Sequence, residues 1–291
     1  MSKFAVAAAL LLAFAGETLA WGPEGHSVVA EIAQRRLSPK ASAMVEHLLG
    51  KGHSLSSIAS WVDDERTVRP ATGNWHFVDM PLAATRYDPL RDCKDDPKKG
   101  DCIVAELDRL RSELRCARDK DDKVEALKFA VHFFGDLHQP LHAIGDDAGG
   151  NGIVVDVFMR GIKACTGKCE PRHVPSNFHK AWDEDLINMI VWDWGAYVDR
   201  LEGGWLKSAE AKQEAADLKG ATIGHATIVK WAEATHATAI KVWTMRRTDN
   251  VLDDAYLTAS APVIDRQLGM AGLRLTRFLN EAYASKRCPV R

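Results

Sequence analysis

The residues of this chain best suited to chemistry gather in one stretch, 128–143, which reads KFAVHFFGDLHQPLHA. His132 and Asp136 stand four apart, so on a helix they project from one face, one turn above the other. Pro140 has no N–H to give a helix, so the backbone must kink or stop there, and that break can swing His142 towards the other two. Imidazole and carboxylate at helical spacing among Phe129, Val131, Phe133, Phe134 and Leu137 suit zinc, which takes His nitrogen and Asp oxygen in tetrahedral sites. The competing reading is a buried helix whose two histidines each satisfy a carbonyl. The rest of the chain weighs against it.

Residues 1–20, MSKFAVAAALLLAFAGETLA, combine Lys3, an apolar centre from Phe4 to Ala15 and the small-residue ending Thr18-Leu19-Ala20. That is the pattern of a signal peptide cut between Ala20 and Trp21, so the mature chain is expected to be secreted or periplasmic. The apolar run is too short to span a bilayer, and no later run reaches that length. Losing Lys3 and Glu17 with the leader leaves the formal charge at −2. A nucleic-acid binder relying on lysine and arginine alone is thereby excluded; any polyanion must be attracted locally, as by a bound metal. Six cysteines (93, 102, 116, 165, 169 and 288) match no standard zinc spacing and fit three disulfides in an oxidising compartment. Cys165 and Cys169, in the loop CTGKC, form the expected local pair; the other pairings stay open.

The positioning elements read as helices. Val28, Val29, Ile32, Ala33 and Leu37 give an apolar stripe from about Ser27. Ser38-Pro39 and Gly50 start and stop a second helix. A third, from about Ser54, carries Ile58, Ala59, Trp61 and Val62 and ends on Asp63-Asp64, where the C-terminal dipole disfavours acids. Residues 80–101 read as a long surface loop, 102–117 and 122–138 as helices, Gly149-Gly150-Asn151 as a tight turn and 153–159 as part of a short hairpin. Pro171 to Pro175 reads as loop, and a helix from Ser176 carries His179 and Asp183, again four apart. Helical stretches follow to about Ala284, with no repeat or linker. The expectation is an all-α (mostly α) fold, with 21–291 forming a single compact multi-helix domain. The nine tryptophans are assigned mainly to its core, and His47, His53, His138, His173, His225 and His236 to structure or surface.

The pieces WGPEGH, ASWVDD, HFVD, HFFGDLHQPLH, GGN and NFHKAWD span residues 21–183. In that order they resemble the trinuclear-zinc, single-strand-specific nucleases of fungi, plants and bacteria, which share a helical fold with zinc phospholipase C. The resemblance implies three zinc ions. Asp63, His76 and His132 hold one, with Asp136 shared; Asp136, His26 and the free amine and carbonyl oxygen of Trp21 hold the second; His142, His179 and Asp183 hold the third. It also implies that Phe77 stacks on a base, Asp79 hydrogen-bonds the base edge and Asn151 contacts substrate near the phosphate. The segment between His142 and His179 departs from the pattern by its length, which bears on substrate access.

The implied activity is zinc-dependent cleavage of single-stranded DNA and RNA to 5′-phosphorylated products, with 3′-nucleotidase action on nucleoside 3′-monophosphates, by a monomer. Zinc lowers the pKa of water to about 7, and metals roughly 4 Å apart orient the resulting hydroxide for in-line attack on phosphorus. Asp63 is placed to orient or deprotonate that water, with Asp64 as the alternative. Three zincs change the formal −2 to about +4, which answers the missing basic patch. Two alternatives carry part of the pattern: a zinc phospholipase C, and a periplasmic zinc-binding protein without turnover. HFVD and GGN favour the nuclease.

Overall fold

The computed structural model of the chain describes residues 21–159, 172–284 and 288. The expected signal peptide and the expected Cys165–Cys169 pair lie outside the described residues.

Helix ends follow their local chemistry. Pro23 opens α1 (Pro23–Gln34) ahead of the Ser27 start, because its fixed φ is already helical. Ser38 accepts from the Ala41 N–H and Pro39 takes the first turn of α2 (Pro39–Leu49), which stops at Gly50 with φ +91°. The 54–64 helix is corrected. Ser56–Ile58 is an isolated 3-10 turn, and α3 (Trp61–Val68) begins anew, with Asp63 and Asp64 in its first turn. The acidic pair therefore sits at the positive end of a helix dipole, the favourable end.

After the short α4 (Pro89–Asp92) come α5 (Ile103–Cys116) and α6 (Lys120–Asp136), the second capped by Asp119. Strands β1 (Val154–Met159) and β2 (Arg172–Asn177) form the antiparallel hairpin, with Val154 opposite Asn177. Helix α7 (Phe178–Lys180) runs through a π-turn, Ala181–Asp185, into α8 (Leu186–Ile190). Then follow α9 (Trp194–Gly203), α10 (Ala209–Lys219), α11 (His225–Met245), β3 (Val251–Leu252) and α12 (Asp254–Ala284). The fold is mostly helical, and β3 joins β1 in parallel to give the sheet order β2-β1-β3.

One further sequence reading changes. Residues 172–175 of the expected loop lie instead in strand β2, with Pro175 opposite Asp156. Strand β2 is an edge, so the N–H that proline lacks costs the sheet nothing. Trp21, Trp182 and Trp231 are buried as expected, whereas Trp192 and Trp194 are exposed. Among the described residues no helix is long and apolar enough to cross a membrane. Cys93 pairs with Cys102, and Cys116 at the end of α5 pairs with Cys288.

Helix α12 packs on α1, α2, α5 and α6, and it meets α1 closely at Gly272. A Cβ on Gly272 would stand 2.4 Å from Ile32 Cγ2 and 3.3 Å from Val29 O. Gly272→Ala is therefore expected to destabilise the fold by about 1–2 kcal/mol, an overpacking cost that outweighs the gain in helix propensity. Urea unfolding measures it, and a variant as stable as the parent would show that α1 yields freely.

Candidate metal centre

Four separate elements supply the site. His26 comes from the first turn of α1, Asp63 from the first turn of α3, and His76 from the end of a 3-10 stretch, Pro70–His76. His132 and Asp136 come from the last turns of α6. Around Asp136, which is fully buried, three imidazoles converge: His76 Nδ1 at 3.0 Å, His132 Nε2 at 3.2 Å and His26 Nε2 at 3.3 Å. Asp63 Oδ1 lies 3.4 Å from His132 Nε2, and the rings of His26 and His132 stack at 3.8 Å.

The third group forms beside this pair. Pro140 ends the α6 direction as expected, and the 3-10 turn Pro140–Ala143 brings His142 Nδ1 to 3.9 Å from Asp136 Oδ1. His142 Nε2 and His179 Nε2 approach Asp183 at 3.8 and 3.5 Å. His179 lies in α7 and Asp183 in the π-turn, a distortion frequent at functional sites.

Three groups thus offer ligand atoms close enough to hold a metal ion: His26, His132 and Asp136; Asp63, His76 and His132; His142, His179 and Asp183. Eight of the nine sequence-derived ligands are brought together here. The ninth, Trp21, is buried beside them, and the N–H of the next residue, Gly22, donates to Asp183 O at 2.8 Å.

The outer partners fix which nitrogen faces inward. His132 Nδ1 donates to Ala59 O at 2.7 Å, His142 Nδ1 to His76 O at 2.8 Å and His179 Nδ1 to Gly149 O at 2.7 Å. Each bond places a proton on Nδ1 and turns Nε2 towards the neighbouring carboxylates, the orientation that metal-binding histidines use. Inside this shell His26 Nε2, both Asp63 oxygens, Asp136 Oδ1, His142 Nε2 and Asp183 Oδ2 are buried without a hydrogen bond. So many orphaned acceptors in one place are costly unless a cation satisfies them. The donor set, imidazole plus carboxylate, fits zinc.

The electrostatics agree. Burial opposes charge on Asp136, but His132 beside it and hydrogen bonds from the surrounding imidazoles hold its carboxyl well below the usual range. Burial likewise opposes charge on His132, and Asp136 with Asp63 overcomes it, raising that imidazole well above normal. The spot between these carboxylates therefore stabilises positive charge. Burial pushes His142 down to about 3 and His179 to about 4, so both keep a free lone pair at neutral pH. Burial drives Asp183 the other way, well above its ordinary value.

A cavity of about 260 Å³ opens on the site, lined by His76, His142 and His179 together with Phe77, Asp79 and Asn151. Asn151 is anchored through Nδ2 to Ala148 O at 2.8 Å. Three contributors escaped the sequence reading. Arg66, one turn after Asp63 on α3, lines this cavity and brings a fixed positive charge; its i+3 spacing was the available signal. Gln139 is buried and donates to Asp183 Oδ1, leaving Oδ2 unpartnered; only the fold pairs them. Gly135 lies inside α6, where a Cβ would stand 2.6 Å from His26 Nδ1 and 2.8 Å from Cε1. A glycine within a helical pattern costs about 1 kcal/mol against alanine, and that penalty was its signal.

The family model described as S1/P1 Nuclease matches residues 21–284. Endonuclease 2 of Arabidopsis thaliana is 29% identical over 289 residues, covering 90% of each chain. Nuclease P1 of Penicillium citrinum is 29% identical over 290 residues, covering 91% of this chain and 99% of its own. Nuclease S1 of Aspergillus oryzae is 26% identical over 301 residues, covering 96% and 98%.

Gly135→Ala places two effects in opposition. The helix gains propensity, while the new methyl expels the His26 ring from its place over α6. Metal affinity of the His26, His132 and Asp136 group is expected to fall about tenfold or more, the range found when ligand-orienting neighbours are lost. Competition titration with a chromophoric chelator reads this directly, and an unchanged affinity would show that His26 needs no such gap.

Proposed function

The chain belongs to the S1/P1 nuclease family and is a hydrolytic nuclease, and on that premise we propose that it is an exported, zinc-dependent phosphodiesterase of single-stranded DNA and RNA. Its products carry 5′-phosphates, and it removes phosphate from nucleoside 3′-monophosphates. The observation that carries the reading is the set of three buried His/Asp groups, with their unpartnered ligand atoms, beside a cavity that also holds Phe77.

Three zinc ions are proposed. Asp63, His76, His132 and the shared Asp136 would hold one; His26, Asp136 and the amine and carbonyl of Trp21 a second; His142, His179 and Asp183 the third. Bound zinc supplies Lewis acidity towards phosphate oxygens and a water acidified to near neutrality. The chain's own residues do the rest. Asp63, with both oxygens unpartnered, orients the attacking water or accepts its proton. Arg66 adds fixed positive charge on the phosphate side of the cavity. Phe77 offers a stacking face, which is tolerant of sequence and requires an unpaired base, and Asp79 accepts from the base edge. Asn151 meets substrate near the phosphate. The disulfides Cys93–Cys102 and Cys116–Cys288 suit an oxidising compartment, in keeping with export.

Metal analysis of the mature protein, combined with digestion of single- and double-stranded DNA and of phosphatidylcholine side by side, tests the proposal. Preferred hydrolysis of the lipid would replace it with a phospholipase. Asp136→Asn is expected to abolish activity and to lower zinc content by more than one ion, since that carboxylate is proposed to be shared by two ions. Retention of all three ions would refute the sharing.

Trp21 gives a second test. Its nitrogen is an amine, and hence a good zinc ligand, only after the preceding peptide bond is cut. A chain beginning at Trp21 is expected to bind one more zinc tightly, and to turn over far faster, than one that retains residues ahead of it. Equal zinc content and equal turnover in the two forms would remove Trp21 from the ligand set.

A further inference from the structure

A second cavity, of about 190 Å³, shares Phe77 and Asp79 with the first but is lined by none of the nine candidate ligands. Phe77 and Asp79 thus form a partition between the two. The far side carries Arg91, Asp92, Lys94, Asp96 and Asp101. Arg91 is committed to Asp92, with Nε 2.5 Å from Oδ1 and Nη2 2.8 Å from Oδ2. Asp96 receives the backbone N–H groups of Lys98 and Lys99. The Asp101 carboxyl accepts from its own backbone N–H and shares a hydrogen bond with Glu106, which leaves two open positions on this wall among the described residues. Asp101 Oδ1 is buried without a partner, and Lys94 is exposed with no hydrogen bond or ion pair.

This lining selects its occupant. A phosphate would meet the carboxylates of Asp79, Asp96 and Asp101 and be repelled. A neutral ring with N–H donors meets acceptors instead, since an ionised carboxylate only accepts. A flat ring also gains by stacking on Phe77. Lys94 then stands at the exposed rim, where a phosphate attached to that ring would pass.

Resting on the nuclease reading above, we infer that this cavity takes the base of the adjoining nucleotide, on the 5′ side of the one whose 3′-phosphate is cut. Phe77 is then sandwiched between two bases, and Lys94 meets the phosphate that joins them. The 5′ side follows because the cut phosphate lies at the ligand groups of the first cavity, and the second cavity touches none of them. Asp101 accepts from an exocyclic amine, so adenine, cytosine and guanine are favoured there over thymine and uracil.

The experiment compares dinucleotides bearing a 3′-terminal phosphate, with the 5′ base varied, against the matching nucleoside 3′-monophosphate. On the mature zinc-loaded enzyme, a 5′ base with an amino group is expected to lower KM about tenfold, and thymine to lower it less. Lys94→Ala should remove most of that advantage, and Asp101→Asn should erase the difference between amino-bearing bases and thymine. Both variants should leave kcat and KM on the mononucleotide unchanged. Hydrolysis of both substrates with the same KM in the parent overturns this inference alone, as does a loss in the variants that is equal on mono- and dinucleotide. A parent that hydrolyses neither overturns the nuclease reading, and this inference with it.

Discussion

Asp136 is a carboxylate with no solvent exposure, held within 3.3 Å of three imidazole nitrogens. An isolated charge in such a place is far too costly to persist, so everything around it is arranged to supply compensating positive charge. Without a cation the chain's answer is to raise the proton affinity of His132. Even so, several acceptors nearby stay unsatisfied, which a protonated imidazole alone does not cure. The site is built for more positive charge than the polypeptide itself provides.

That demand explains why the fold brings so many elements to one point. Helix α6 presents His132 and Asp136 from consecutive turns, and α12 packs behind it. Helix α1 approaches at Gly135, where the missing side chain leaves room for the His26 ring. The turn at Pro140 and the π-turn after α7 then set His142 and Asp183 facing each other, joined through Gln139. Backbone carbonyls of Ala59, His76 and Gly149 hold three of the rings in a single tautomer. Each carbonyl belongs to an element that differs from the one carrying its histidine, so ligand geometry and tertiary packing are established together.

The near-neutral chain also locates its attraction for polyanions. At a formal −2 the molecule has no long-range pull on nucleic acid, and Arg66 is one cation in a cavity otherwise lined by neutral and acidic groups. Under the proposed function, the positive charge resides on the bound ions, and the polypeptide contributes shape. A recess beside an aromatic ring admits a base that is free to leave its partner, which a duplex does not offer.

Much of the site was legible from the chain alone, for a local reason. The i,i+4 pairs His132/Asp136 and His179/Asp183 and the break at Pro140 are encoded within single turns, where helical periodicity fixes what faces what. The caps at Ser38 and Gly50 were readable on the same ground. Reading failed where the outcome depends on distant partners. Whether Asp63 ends one helix or begins another was decided by a 3-10 turn that breaks the segment between them, and only the observed start puts the acids at the favourable pole. Pro175 could be a strand residue only because β2 is an edge, a fact of sheet order. The two described disulfides, the meeting of Gln139 with Asp183, and the gap that Gly135 leaves for His26 join residues from 9 to 172 positions apart. Local sequence sets the type and spacing of each candidate ligand, because those follow from one helix at a time. Their convergence on Asp136 belongs to tertiary structure, because only packing brings separate helices within reach of one buried charge.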